Sequence, residues 1–377
     1  MVTRRILIAG GGTGGHLMPA LAIAATLREI EPAIEPVLIG ARRGVEATLL
    51  PAREFRYALL PLEPIYRRTW WKNARWPVVA WRVFRHLTRL FAEEKPAAVL
   101  GTGGYASGPV VWWAARHGIP TAIQEQNAYP GLTTRRLSRH ARHIYLGLPE
   151  AAERLRPGPG TTLFDTGNPI VPPAPARRAA ALARFGLDGR RLVVLVTGGS
   201  QGALAINRAV ARWLDDGAAE RVAVIWVTGR KTYGDFASYH RPPAVTVIDF
   251  LDPMADAYAV ADLVVSRAGM ITVAEISAWG LPSVLVPLPT AAADHQTHNA
   301  RAMANAGAAV VVTQNGASAD QLAGVLDGLL ENPARRAEMA ARSLQRGRPN
   351  AARDIVSHLL TLASDSRPFA NRDNILG

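Results

Sequence analysis

At 377 residues the chain is too long for one ordinary core and has the length of two domains. An apolar content of 49% against 19% charged residues excludes a disordered chain, and the lack of cysteine excludes a disulfide framework, a thiolate nucleophile and Cys-ligated zinc or iron–sulfur sites. The formal net charge of +13 is uneven: residues 1–150 hold 20 Lys or Arg against 10 Glu and no Asp, which directs that half towards phosphates, nucleic acid or an acidic membrane.

The first residues, Met1 to Arg5 ahead of an uncharged run from Ile6 to Leu27, imitate a signal peptide. Gly10, Gly11, Gly12, Gly14, Gly15 and Pro19 would break the apolar helix that export requires. The segment instead reads as a buried strand over 6–9, a glycine loop and a helix from about Leu17. Further strands are expected at 36–39, 97–100, 121–124 and 162–165. A second set follows at 191–196, 222–227, 245–248, 263–265 and 283–286. Strands apolar on both faces and separated by helices predict parallel sheets covered on both sides. The prolines at 157, 159, 169, 172, 173 and 175 mark a break. The chain therefore divides into an N-terminal domain over 1–166, a linker over 167–178, a C-terminal domain over 179–349, and a tail over 364–377. No run of about 20 apolar residues is present, so no bilayer span is expected. The predicted class is α/β, two Rossmann-like doubly wound domains with a ligand cleft between them.

Three glycine loops follow predicted strands: GGGTGGH at 10–16, GTGGYAS at 101–107 and TGGSQGA at 197–203. Without Cβ atoms such loops bring backbone N–H groups onto phosphate oxygens, with the positive end of the next helix behind them. One loop alone is equally a tight strand–helix turn; three point to two phosphorylated ligands. The first also fits G-x-G-x-x-G, but the second strand ends in Gly40-Ala41-Arg42-Arg43 rather than the acid a nicotinamide enzyme uses for ribose. Around Arg267-Ala268-Gly269 a fourth strand–glycine–helix turn offers amides to a diphosphate whose charge grows as a leaving group departs.

Taken together, GGTGGH at 11–16, GTGGYASGP at 101–109, QEQNAYPGLTTR at 124–135, TGNP at 166–169, TGGSQGA at 197–203, DFLDPMADAYAVADLVVSRAG at 249–269, TVAE at 272–275 and DHQTHNA at 294–300 resemble the MurG family of GT-B glycosyltransferases up to about residue 360. The resemblance implies an inverting transfer of N-acetylglucosamine from UDP-GlcNAc to the C4 hydroxyl of MurNAc in undecaprenyl-diphospho-MurNAc-pentapeptide (lipid I), giving lipid II for peptidoglycan. It implies the acceptor on the N-terminal domain, the nucleotide-sugar on the C-terminal one, and a last helix, about 350–363, packed back on the first.

It further implies donor contacts from Thr13, Gly14, Gly15, Asn127, Ser200, the backbone of Leu251, the helix start at Met270, Ile271, Thr272, Val273 and Ala274, Glu275 on the ribose, and Gln296 on the sugar. The acceptor diphosphate falls to Gly14, Gly15, Gly103, Gly104 and Tyr105. The base is either His16, whose ordinary pKa near ~6.5 suits proton acceptance at neutral pH, or Glu125. His16 and Glu275 each also read as ordinary first-turn residues of a helix, and Gln296 as an exposed loop amide. The family arginine two residues after Asn-Pro is Val171 here; either Arg190, Arg191 or Arg267 stands in for it or the contact is missing. No Asp-x-Asp occurs and no His, Asp or Glu grouping has ligand spacing, so neither metal nor other cofactor is expected.

Residues 64–92 hold no acid; Arg67, Arg68, Lys72, Arg75, Arg82, Arg85 and Arg89 alternate with Tyr66, Trp70, Trp71, Trp76, Trp81, Phe84 and Phe91. Trp and Arg together suit a lipid headgroup layer, and Trp112 and Trp113 extend the patch. The competing reading is a domain helix with a solvated basic face. No nucleic-acid motif accompanies the segment. The expected setting is the cytoplasmic face of an anionic membrane, with peripheral attachment. Two alternatives stand beside this reading: a UDP-GlcNAc epimerase of similar architecture, which needs cleft carboxylates scarce in the first half, and a non-catalytic phospholipid-binding protein, which does not need TVAE or DHQ.

Overall fold

The computed structural model of the chain describes residues 4–62, 75–174, 178–199, 201–314 and 319–365. They form two compact units. Unit 1 comprises the described residues up to Ile170 together with those from Asn350 onward, and unit 2 runs Val171–Pro349.

Unit 1 is built on seven parallel strands in the order β3-β2-β1-β4-β5-β6-β7. These are β1 Arg4–Ala9, β2 Ile34–Ala41, β3 Arg56–Leu60, β4 Ala98–Gly101, β5 Thr121–Glu125, β6 His143–Leu146 and β7 Thr162–Phe164. Its helices are α1 Gly14–Ile30, α2 Glu46–Leu49, α3 Trp76–Glu94, α4 Gly104–Arg116 and α5 Leu132–Leu137. Strand periodicity builds two cores. Ile6, Ile8 and Leu38 face α1, while Leu7, Val37 and Ile39 face α3 and α4.

Unit 2 repeats the plan with six strands in the order β10-β9-β8-β11-β12-β13. They are β8 Val193–Thr197, β9 Ala223–Val227, β10 Val245–Ile248, β11 Leu263–Ser266, β12 Ser283–Leu285 and β13 Ala309–Val311. The helices are α6 Arg178–Arg184, α7 Leu204–Asp215, α8 Tyr233–Phe236, α9 Ala255–Val260, α10 Met270–Ala278, α11 His295–Asn305, α12 Ala319–Leu330 and α13 Pro333–Arg346. Val194 and Val196 pack towards α7 and α12, and Val193 and Leu195 towards α6, α9 and α10.

The last helix, α14 Ala351–Ser364, belongs to unit 1. Its Ile355, Val356, Leu359 and Leu362 are buried with Leu17, Ile23 and Leu27 of α1. The i, i+4 and i+7 spacing lines up one apolar face, and each such side chain stabilises by about 2 kcal/mol.

In both sheets the order reverses between two adjacent strands, and ligands of doubly wound sheets bind beyond the carboxyl ends of such a pair. In unit 1 the pair is β1 and β4, in register Ala9 to Gly101, so the first two glycine loops emerge side by side. In unit 2 it is β8 and β11, with Ser266 beside Thr197.

Several expectations change. β3, β6 and β13 were not anticipated: β3 is an edge strand with exposed Arg56 and Tyr57, and the other two are only four and three residues long. Helix α1 starts at Gly14 rather than about Leu17, which puts His16 in its first turn. Residues 167–170, assigned to a linker, stay with unit 1: Gly167 N–H donates to Leu146 O (2.9 Å) and Asn168 is buried. Residues 171–174 have no regular structure. No described helix is long and apolar enough to cross a membrane.

Candidate active site

The first glycine loop of unit 1 is partly occupied by the protein itself. The fully buried Glu46 carboxylate accepts from Gly12 N–H (2.9 and 3.1 Å) and from Ala41 N–H (2.8 Å). A Cβ on Gly11, Gly40 or Gly44 would collide with that side chain, so three glycines make room for one carboxylate. The inner part of the loop is thereby no phosphate cradle, contrary to the simple reading of the motif. What it presents outward is Thr13, Gly14 and Gly15, all exposed, at the start of α1. First-turn amides have no acceptor within their own helix, and they sit at its positive end. Gly12, at φ +90°, leaves room for the Tyr105 ring, 2.6 Å from where a Cβ would stand.

His16, one residue on, is held from its Nδ1 side: Nδ1 lies 3.1 Å from Gln126 Oε1. Gln126 Nε2 donates to Thr102 O (2.5 Å) and to Gln124 Oε1. Thr102 closes the ring, since its hydroxyl donates to His16 O (2.8 Å). Gln124 Nε2 donates to Asn168 Oδ1 (2.8 Å), and Asn168 Nδ2 to Gln126 O (3.0 Å). Gly103 and Gly104, at φ +96° and +75°, bring the second loop against this assembly, and a Cβ on Gly104 would overlap Gly11 O.

Glu125 faces elsewhere. Alternation along an extended chain puts Gln124 and Gln126 on one side and Glu125 on the other. Its buried carboxylate accepts from Asn127 N–H (3.1 Å), Asn127 Nδ2 (3.3 Å) and Gly131 N–H (3.0 Å). That geometry ties Glu125 to the 127–131 loop, while His16 is braced by Gln126.

In unit 2, Gly269 caps α10 in extended conformation, and nothing lies within 4 Å of where its Cβ would be. The amides of Met270, Ile271 and Thr272 open the helix, followed by Val273 and Ala274. Glu275, half-buried one turn in, accepts from Tyr258 Oη (2.9 Å). Burial pushes its carboxyl above the usual range, and the Tyr258 hydrogen bond opposes this. Burial also raises the Tyr258 phenol, with the Glu275 charge adding to it.

Beside this turn, Gly199 (φ +79°) has open space around it, while Gly202 and Gly229 pack against each other with no room for a Cβ on either. Ser200 lies outside the described residues. Leu251 is buried in the core next to the exposed Phe250, over which Arg230 stacks at 4.5 Å. Gln296 is half-buried in the first turn of α11, not an exposed loop amide, and its Oε1 accepts from Leu288 N–H (3.0 Å), which turns its Nε2 donor outward from that contact. Ala293 and Asp294 just before it both adopt left-handed φ (52° and 54°), a strained pair for non-glycine residues and the kind found at binding loops.

Of the stand-ins for an arginine at the exposed Val171 (76%), two lie away from the glycine turns and the third is engaged by carbonyl oxygens. Arg190 and Arg191 precede β8, so they lie at the end of the sheet opposite the glycine turns, and Arg191 donates to Ala219 O (3.2 Å). Arg267 donates to Val286 O (3.0 Å), Pro287 O (3.1 Å) and Gln314 Oε1 (2.7 Å), and burial lowers its pKa. Among the described residues no group of three or more His, Asp or Glu could hold a metal.

On α3, Val79, Val83, Leu87, Leu90 and Phe91 turn inward. Val78 (53%) and Trp81 (61%) are exposed, with Arg75, Arg82 and Arg85 around them and Arg85 5.5 Å from the Trp81 ring. Trp76 is half-buried, and Trp112 and Trp113 pack against Phe84 at 5.4 and 5.7 Å. Trp70 and Trp71, like Tyr66, Arg67, Arg68 and Lys72, lie outside the described residues.

Comparison with known proteins decides the family. Residues 6–146 match the glycosyltransferase family 28 N-terminal domain and 193–358 its C-terminal domain. A protein of Moorella thermoacetica, described as UDP-N-acetylglucosamine--N-acetylmuramyl-(pentapeptide) pyrophosphoryl-undecaprenol N-acetylglucosamine transferase, is 40% identical over 94% of this chain and 98% of its own. The crystal structure of Acinetobacter baumannii MurG superposes with a TM-score of 0.76 at 29% identity, covering 95% of this chain and 99% of that one. The chain belongs to the MurG branch of glycosyltransferase family 28. Its two Rossmann-like units are those of the GT-B fold. A UDP-GlcNAc 2-epimerase from Neisseria meningitidis, at TM-score 0.61 and 16% identity over 95% of this chain and all of that one, is alike in fold alone.

Glu46, Thr102, Gln126, Asn168 and Tyr258 were given no role by sequence reasoning. Thr102, Gln126, Asn168 and Tyr258 stand inside the segments that carry the resemblance, which marked the segments without assigning these side chains; only Glu46 lies outside them.

Proposed function

We propose that the chain transfers N-acetylglucosamine from UDP-GlcNAc to the C4 hydroxyl of MurNAc in lipid I, with inversion, producing lipid II for peptidoglycan synthesis. The observation that carries this is the near-full-length likeness to a transferase of that description, with the glycine turns at both switch points intact. In the reaction His16 takes the proton of the acceptor hydroxyl, whose oxygen forms the new bond to the anomeric carbon. The bond to the diphosphate breaks, and UDP leaves with the electron pair. The amides opening α10 meet the growing phosphate charge, Glu275 accepts from the ribose hydroxyls, Leu251 meets uracil and Gln296 a sugar hydroxyl. Gly14, Gly15, Gly103, Gly104 and Tyr105 face the acceptor diphosphate, Thr13 contacts the donor, and Asn127 orients hydroxyls. Charge neutralisation by amides and helix ends makes the reaction independent of divalent metal.

The test is UDP release from UDP-GlcNAc with a lipid I analogue. Release that needs the acceptor and survives EDTA supports the proposal; epimerised sugar without acceptor would replace it with the epimerase reading. His16→Ala should lower kcat on the order of 10²–10⁴-fold with little change in UDP-GlcNAc affinity. Wild-type turnover would remove the base assignment.

The exposed Val78 and Trp81 amid arginines support peripheral attachment to an anionic membrane on its cytoplasmic face.

A further inference from the structure

We infer that Gln126 is a positioning residue that fixes the tautomer of His16, holding the proton on Nδ1 so that Nε2 carries the lone pair. This rests on the reading of His16 as the base.

The side-chain amide orientations follow from chemistry. Main-chain carbonyls only accept, so the Gln126 atom 2.5 Å from Thr102 O is the amide nitrogen. The far end of the chain is fixed in the same way, because Asn168 donates to Gln126 O. Asn168 Oδ1 then accepts from Gln124 Nε2, and Gln124 Oε1 accepts the second hydrogen of Gln126. All three amides are thus anchored on two carbonyls, and none can flip without facing like against like. Gln126 Oε1 is left towards His16, and an amide oxygen can only accept, so Nδ1 must donate across the 3.1 Å contact. A histidine side chain in water favours the opposite tautomer. The arrangement has the logic of a carboxylate orienting a catalytic histidine, with a neutral amide in its place.

Gly103 is part of the device. A Cβ there would stand 2.6 Å from His16 Nδ1 and 3.3 Å from Gln126 Oε1, so a side chain at this position would part the pair.

The experiment has two arms. Long-range ¹⁵N–¹H correlation spectra of the histidine-labelled, ligand-free full chain, with His16 assigned by its loss in His16→Ala, should give the Nδ1–H pattern at pH above the ring's titration. An Nε2–H pattern overturns the inference whatever the enzyme's activity. In the second arm, Gln126→Met should lower kcat about a hundredfold, with UDP affinity unchanged. In Gln126→Met the same spectra should change from the Nδ1–H to the Nε2–H pattern, the tautomer that an unheld imidazole favours. A purely structural role would leave the tautomer in place, and an unchanged Nδ1–H spectrum in Gln126→Met overturns the inference. An Nδ1–H spectrum combined with full turnover in His16→Ala would instead sink the base reading alone.

Discussion

The two units share one topology and one switch point, yet they furnish it differently. In unit 1 the turns after β1 and β4 are wired by side chains: Glu46 fills the inner loop, while Thr102, Gln124, Gln126 and Asn168 brace His16. In unit 2 the turn before α10 is bare backbone, with open space at Gly269 and at Gly199. In the roles proposed above, a proton acceptor gains a fixed ring and tautomer from such side-chain contacts. A diphosphate needs converging amides, which glycine-opened turns supply unaided. On the proposed reading, the same strand–glycine–helix motif does two jobs, and the surrounding side chains decide which.

The contrast can be broken most severely at Gly104. Gly104→Ala combines a left-handed φ with overlap onto Gly11 O and should destabilise by about 3 kcal/mol, read as a lower denaturation midpoint. Gly269→Ala, with φ −68° and no neighbour, should leave the midpoint within about 0.5 kcal/mol while weakening UDP binding. Equal losses at the two glycines would end the comparison.

Glu46→Ala strands the half-buried Gly12 amide and the buried Ala41 amide and should cost about 2 kcal/mol of stability with its effect confined to unit 1, measured by hydrogen exchange at Gly12. Glu275→Gln should weaken UDP about tenfold by calorimetry. Because burial raises the Glu275 pKa and the carboxylate is the accepting form, wild-type affinity should fall as pH drops through that raised value, and the Gln variant should be flat there. The smallest effect belongs to the surface: Trp81→Ser should reduce binding to phosphatidylglycerol vesicles by roughly fivefold, about 1 kcal/mol, with UDP-GlcNAc turnover on a soluble acceptor unchanged.

Much of this was legible in the chain. Apolar runs of four to six residues separated by helical stretches specify parallel, doubly covered sheets, because such strands have no polar face to offer water. The glycine positions marked the switch-point turns, since backbone approach without a Cβ leaves a compositional trace. The weak elements were lost: β3 hides behind Arg56 and Tyr57 because an edge strand is solvated, and β6 and β13 are too short for periodicity to register.

The choice between His16 and Glu125 was not legible either. Both are titratable and both sit next to glycine-rich loops. Strand alternation turns Glu125 into its own loop and Gln126 towards His16, across a separation of 110 residues. Likewise only the fold reveals that Glu46 occupies the first loop and that Arg267 is committed to carbonyls beyond β12. Local sequence determined the layers and the turns, because burial periodicity and backbone freedom are properties of neighbouring residues. Which polar group meets which was decided by tertiary packing, because a hydrogen-bond partner distant along the chain leaves no mark on the residues around it.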